Sequence, residues 1–307
     1  IPLRLVGSEM CIRDSPKALI TSEIKTPVDG QIRALDFVKI SGTILKEDGS
    51  VDTGFNGRVV ANIFDKRLNK TTLNNDKVGG MLPLLKYTEE GSAIVKAAGK
   101  AVNGLYTVEF YVPKDINYEV GDGRILLYAD NFATAKSNAH DVYSNQSYKV
   151  GGINENGIDD NEPPKVSLFM NNTNFADGGI TDQNPTLLAC ITDNTGINST
   201  GSGVGHDITV ILDGQIVNTV VLNDFFAAGE GNGCVNLSLA EYQKGTVSYP
   251  FRNLAPGPHQ LTFKVWDINN NSTTATLNFV VKDESEQKLS INTVSYTHLT
   301  LPTKRIV

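Results

Sequence analysis

The sequence predicts an all-β protein built as two tandem immunoglobulin-like antiparallel β-sandwiches. Short runs in which apolar residues recur at every second position mark strands with one face in a core. Turn dipeptides and 28 glycines punctuate those runs at short intervals. No alternation of strands with helical patterns appears, which argues against a parallel-sheet α/β enzyme.

The first unit is expected over 16–150. Asp36–Leu45 (DFVKISGTIL), Gly57–Phe64 (GRVVANIF), Asn103–Val112 (NGLYTVEFYV) and Gly123–Ala129 (GRILLYA) alternate or are rich in β-branched residues. Asp48-Gly49 and Asn103-Gly104 are turn pairs at which positive φ is cheap. The segment Val78–Lys100 reads two ways: as a strand with a long loop, or with a helical turn over Ala93–Ala98. Tyr106, Phe110 and Tyr128 are expected in the core or in strand pairs.

A linker follows over 151–164, GGINENGIDDNEPP, which lacks apolar periodicity and ends on two prolines that favour extended backbone. The second sandwich is expected over 165–283. Its seven strands would be Lys165–Met170, Thr186–Thr192, Asp207–Leu212, Gln215–Leu222, Thr246–Phe251, His259–Trp266 and Thr274–Val281. Residues 284–292 would begin a connection to a further C-terminal module.

Residues 1–15 and 293–307 are expected to be foreign to the fold. Leu5–Ser15 and Val294–Thr303 back-translate into strings resembling sequencing adapters in opposite orientations, so both ends are set aside as fusion scars would be. The whole chain carries 27 basic and 34 acidic residues, net −7. Without the two ends the balance is 23 against 32, net −9. An acidic chain without a basic stripe excludes nucleic acid as the expected partner. No apolar run of about 18 residues exists, so no membrane-spanning helix is expected.

Several local features invite chemistry. Asp159, Asp160, Asn161 and Glu162 before Pro163 gather carboxylate and amide oxygens of the kind that hold a structural calcium between domains. The spacing is not that of a twelve-residue calcium loop, and a solvated acidic hinge is the favoured reading of the same residues. Cys190 lies on an expected strand and Cys234 in a glycine-rich loop, so a disulfide between them is one option in an oxidising compartment. Cys11 falls within the discarded end. His206 and Asp207 are adjacent, but neighbours on a strand point to opposite faces and share a task poorly. Trp266, on LTFKVWD, is read as a core residue, with Asp267 and Asn269–Asn271 forming the next turn. No nucleophile–base, phosphate-loop or zinc motif is present, so no catalytic residue is assigned and no cofactor beyond calcium is expected.

The chain also resembles a known family. DGGITDQNPTLLA (177–189), DNTGINSTGSGVGHDI (193–208), KGTV (244–247) and the Trp266 strand carry the likeness most strongly. NGLYTVEFYVPKDI (103–116) and VGDGRILLYA (120–129) extend it. These segments resemble the C-terminal part of the type IX secretion system sortases of Bacteroidota, gingipain-like cysteine peptidases of family C25. Ala227–Ala240 departs from the family with a longer loop bearing Cys234. The family's usual lack of cysteines at positions 190 and 234 weighs against a required bridge.

The resemblance implies a parent that is a cysteine endopeptidase and transpeptidase on the extracellular face of the outer membrane. It would remove the C-terminal signal domain of secreted cargo and attach the cargo to the cell surface. Its catalytic Cys and His would lie in a domain preceding Pro16, and an outer-membrane barrel would be its docking partner. The segment read here would be a non-catalytic spacer. Two alternatives remain: an immunoglobulin-like adhesion or binding array, and another gingipain-family protease with a similar tail.

Overall fold

Alternation along Gly57–Phe64 sends Val59, Ala61 and Ile63 to one face, where all three are fully buried. That pattern repeats through a chain that is almost entirely β. The computed structural model describes residues 19–283, apart from 29, 74–83, 132–134, 142–147, 202, 230, 232 and 235–237. The two adapter-like ends, Cys11 and residues 284–292 lie outside the described residues.

The first unit holds β1 (Glu23–Lys25), β2 (Gln31–Ala34), β3 (Phe37–Thr43), β4 (Gly57–Phe64), β5 (Leu68–Thr71) and β6 (Lys86–Glu89). It continues with β7 (Ala93–Val102), β8 (Leu105–Tyr111), β9 (Gly121–Asp122), β10 (Arg124–Asp130), β11 (Ala135–Asp141) and β12 (Lys149–Ile153). One sheet runs β1-β3-β8-β7-β4-β10-β11, a smaller one β2-β12-β9, and β5-β6 form a separate hairpin. Asn103 and Gly104 both take positive φ between β7 and β8, the two-residue turn that their identities suggest.

The structure resolves one open reading and moves one boundary. Ala93–Ala98 is strand: Val95 pairs with Ile63 and Ala97 with Ala61 in the antiparallel β4/β7 ladder, which outweighs alanine's weak β preference. Gly151–Ile153 belong to β12, which runs parallel to β2, so sheet pairing of the first unit extends past the expected boundary at 150. Tyr106 and Phe110 are buried in the core, and Tyr128, half-buried on the opposite face of β10 from Ile125, Leu127 and Ala129, lies in strand pairs with Val60 and Ser137, so all three stand as expected.

The second unit holds β13 (Lys165–Met170), β14 (Gly179–Thr181), β15 (Thr186–Thr192), β16 (Thr209–Leu212), β17 (Val220–Val221), β18 (Phe226–Ala228), β19 (Lys244–Pro250), β20 (Gly257–Trp266) and β21 (Ser272–Val281). A sheet β13-β15-β19-β18 faces a sheet β14-β21-β20-β16-β17. This is the four-against-three plan of the immunoglobulin sandwich, with two short edge strands added. The chain crosses from one sheet to the other between β13 and β14, so β14 joins β21 in parallel.

Gln215–Leu222 is not one strand. Ile216–Asn218 form a 3-10 turn closed by Thr219 Oγ1 donating to Ile216 O at 2.6 Å and Asn218 Nδ2 donating to Gln215 Oε1 at 2.8 Å. Local side-chain bonds of this kind compete with ladder pairing.

Each unit has its own core. Ile32, Val38, Ile40, Phe55, Ile63, Val108, Ile125 and Leu127 lie in the first cluster; Met170, Leu187, Val210, Val247, Leu261, Phe263 and Phe279 lie in the second. Cys190 of β15 is joined to Cys234, with Cα atoms 5.4 Å apart and a sequence separation of 44. Closing a loop of that length removes about 4 kcal/mol of unfolded-chain entropy on the polymer estimate.

Candidate metal centre at the junction of the two sandwiches

Between the two cores the chain builds a polar seam. Lys114 N donates to Ile268 O at 2.8 Å. Thr200 Oγ1 donates to Ile94 O at 3.1 Å, and Lys96 Nζ reaches Asn223 O at 3.2 Å. Lys100 and the buried Lys244 flank Glu241, at 3.2 and 3.4 Å. Tyr242, a residue of the second unit, packs on the first core.

Three carboxylates meet beside this seam. Asp160 comes from the inter-sandwich segment, Asp193 from the residue after β15, and Asp267 from the residue after β20. Each presents an oxygen within 4.8 Å of the other two, and all three are buried, at 7 %, 6 % and 0 % exposure. The positions follow from local structure. Where a strand ends, an aspartate caps the next backbone N–H groups and begins a turn.

Asp193 Oδ1 accepts from Thr195 N at 2.8 Å and Gly196 N at 2.7 Å, and Thr195 Oγ1 lies 2.9 Å from both Asp193 Oδ1 and Asp160 Oδ2, so its single proton serves one of them at a time. Asp267 Oδ1 accepts from Asn269 N at 2.9 Å and Asn271 N at 2.7 Å, and its Oδ2 accepts from Asn271 Nδ2 at 2.7 Å. Asp160 Oδ1 accepts from Glu162 N at 3.0 Å and Asn194 Nδ2 at 3.1 Å, and its Oδ2 shares the Thr195 hydroxyl with Asp193.

The electrostatics of the three differ. Burial pushes the Asp193 carboxyl up to about 6 against the pull of its donors, and the Asp267 charge adds to the rise. Burial likewise raises Asp267, with the Asp160 charge contributing. Burial works against ionisation of Asp160 too, but the donors from Glu162, Asn194, Thr195 and Asn161 hold it below the usual carboxylate range. None of the ion pairs among the described residues includes any of the three. Buried carboxylates without a countercharge are costly, so a cation or a proton has to make up the balance.

Of the four residues expected to gather around calcium, only Asp160 belongs to this cluster. Asp159, Asn161 and Glu162 are exposed. Asp160 is no part of a solvated hinge: the segment is pinned, with Asn271 Nδ2 donating to Asp160 O and Asn269 Nδ2 to Ile158 O, both at 2.9 Å. Sequence reading passed over Asp193 and took Asp267 only as a turn residue. The signal available was an aspartate followed by small polar residues at two strand ends, in DNTG and DINNN.

His206 and Asp207 do not act as a pair, and neither lies within a strand, since β16 begins at Thr209. His206 Nδ1 instead lies 3.0 Å from Asp115 of the first unit. Its ring packs on Trp266, with centroids 4.3 Å apart. Trp266 is therefore not the core residue that its strand suggested. Leu261, Phe263 and Val265 alternate inward on β20 and leave Trp266 half-buried on the other face, with Lys264 Nζ 4.2 Å from its ring centre. No helix among the described residues is long and apolar enough to cross a membrane.

No protein-family model matches the chain, and no curated protein sequence matches it either. Solved structures do. The fibronectin(III)-like modules of Clostridium thermocellum CbhA are 13 % identical over 85 % of this chain and 94 % of that one, with a TM-score of 0.22. The trypsin-activated alpha-2-macroglobulin of Escherichia coli is 12 % identical over 85 % of this chain and 18 % of that one, with a TM-score of 0.23. The dimeric latent PorU of Porphyromonas gingivalis is 31 % identical over 86 % of this chain, with a TM-score of 0.44. The chain spans 24 % of that PorU, so the likeness, carried by sequence, is to a PorU-like region and not to a whole protein.

Proposed function

We propose that the chain is the C-terminal, non-catalytic part of a PorU-like surface peptidase, in which two sandwiches hold an upstream catalytic domain at a fixed distance from an outer-membrane docking partner. The observation that carries this reading is the 31 % identity to PorU sustained over 86 % of the chain. The junction supports it in physical terms. A spacer transmits position only if its units are coupled, and here hydrogen bonds, ion pairs and Tyr242 tie the second unit to the first. The parent would cleave C-terminal signal domains from secreted cargo and attach the cargo to the cell surface, using residues upstream of this chain. Its localisation would be the extracellular face of the outer membrane.

The test is replacement. The matching region of Porphyromonas gingivalis PorU is exchanged for this chain, and processing of a cargo bearing a C-terminal signal domain is followed. Processing should survive the exchange and be lost when a flexible linker of equal length is inserted instead. Equal processing with the linker would remove the spacer role, and cleavage of cargo by this chain alone would overturn the non-catalytic reading.

A further inference from the structure

We propose that Asp160, Asp193 and Asp267 are ligands of a hard divalent cation, calcium before all others, which fastens the inter-sandwich segment to the end of the second sandwich. The inference stands on this chain's own residues and does not depend on the peptidase reading.

Two independent observations point to a cation. The first is the convergence of three buried carboxylates with no basic partner among the described residues. The second is an oxygen left over. Asp193 Oδ2 is buried on a side chain more than nine-tenths covered and has no hydrogen-bond partner, although Oδ1 of the same group takes two backbone N–H donors and lies within reach of the Thr195 hydroxyl. Asn269 Oδ1, in the turn that Asp267 caps, is likewise buried and unpartnered. Buried acceptors lacking partners are rare in folded proteins and call for an explanation. A cation at the cluster supplies to Asp193 Oδ2 what no protein donor does.

The donor set decides the kind of ion. Carboxylate and amide oxygens suit calcium or magnesium, whereas zinc and copper favour imidazole and thiolate, and neither is in the cluster. Calcium tolerates irregular geometry and six to eight oxygens, as three carboxylates on three separate segments would offer together with water. Magnesium demands near-octahedral order and keeps its waters. The rival account is that protons neutralise the triad, since burial already raises Asp193 and Asp267.

The full chain, stripped with chelator, is titrated with terbium and then calcium near pH 7. Trp266, the only tryptophan, adjoins Asp267 and serves as the donor for sensitised terbium emission. One terbium per chain should bind, calcium should displace it, and calcium should raise the Tm by roughly 5 °C at saturating concentration. Asp193→Asn should weaken binding by about 100-fold, while Glu162→Gln, exposed and outside the cluster, should leave it unchanged. Asp160→Asn is the second variant, expected to weaken binding in the same direction should Asp193→Asn not fold. Absence of sensitised emission, a Tm indifferent to calcium, or binding that survives Asp160→Asn and Asp193→Asn would overturn the site in favour of protonation.

Discussion

Tyr242, carried by the second sandwich, sets its ring edge-on 5.8 Å from Phe37 of the first. Tyr111 completes the trio, 4.8 Å from Phe37 and 5.8 Å from Tyr242. Aromatic edge-to-face contacts add about 0.5–1.5 kcal/mol each beyond the area they bury. Burial raises the Tyr242 hydroxyl above its ordinary value, with Tyr111 and Glu109 adding to the effect. The two cores are separate clusters, and this side chain of the second unit packs on the first.

Tyr242→Ala is therefore expected to uncouple the sandwiches more than it harms either one. The wild-type chain should melt in a single calorimetric transition. The variant should show two, with the first unit's transition lowered by the loss of about 2–3 kcal/mol of packing at a half-buried aromatic. A variant that still melts in one transition at the wild-type temperature would show that the seam's polar bonds suffice without the aromatic contact.

His259 provides a pH dependence whose sign can be worked out. Its Nδ1 lies 2.8 Å from Asp213 Oδ2 and its Nε2 lies 2.7 Å from Ala255 O, so both ring nitrogens face acceptors. Only the imidazolium donates from both. Burial opposes that charge, but the bonds to Ala255 and Asp213 outweigh it, and the His259 pKa rises above 6.5. A raised basic pKa contributes stability that is fully present below about pH 6.5 and is lost as the pH climbs through the folded-state value. Asp213→Asn should flatten this decline and bring the imidazole back toward its ordinary range. Proton NMR titration of His259, beside urea midpoints between pH 5 and 9, measures both. A pKa at or below 6.5 in the native chain would refute the assignment.

Much of this fold could be read directly from periodicity, because the buried faces of its strands are apolar and the exposed faces are not. Gly57–Phe64, Lys165–Met170 and Thr186–Thr192 stand where alternation and β-branched content put them. Phe226–Ala228 did not declare itself, since its strand character comes from pairing with β19 rather than from its own pattern. The carboxylate cluster was half visible for a different reason. Asp160 stood out in a run of acids, whereas Asp193 and Asp267 lie 33 and 107 residues further along and resemble ordinary turn caps until the sandwich closes. Trp266 was misplaced because composition shows a large aromatic but only register tells which face it occupies.

Glycine supplies the last expectation, by contrasting two positions of opposite kinds. Gly99 sits inside β7, where a Cβ would meet the Thr107 carbonyl oxygen at 1.9 Å and its carbon at 2.8 Å. Both obstacles are backbone, so neither can rotate away. Gly49 has open space around it but takes φ +86°, which an L side chain adopts only with strain. Gly99→Ala should then cost roughly 3 kcal/mol or more, through displaced backbone in the β4-β7-β8 region, and reduce the soluble yield. Gly49→Ala should cost only about 1 kcal/mol, the penalty of a left-handed alanine in an exposed turn. Urea midpoints of the two variants decide the matter. The same small loss in both would show that β7 and β8 can separate to admit a methyl group, and that their close approach is not needed by the first core.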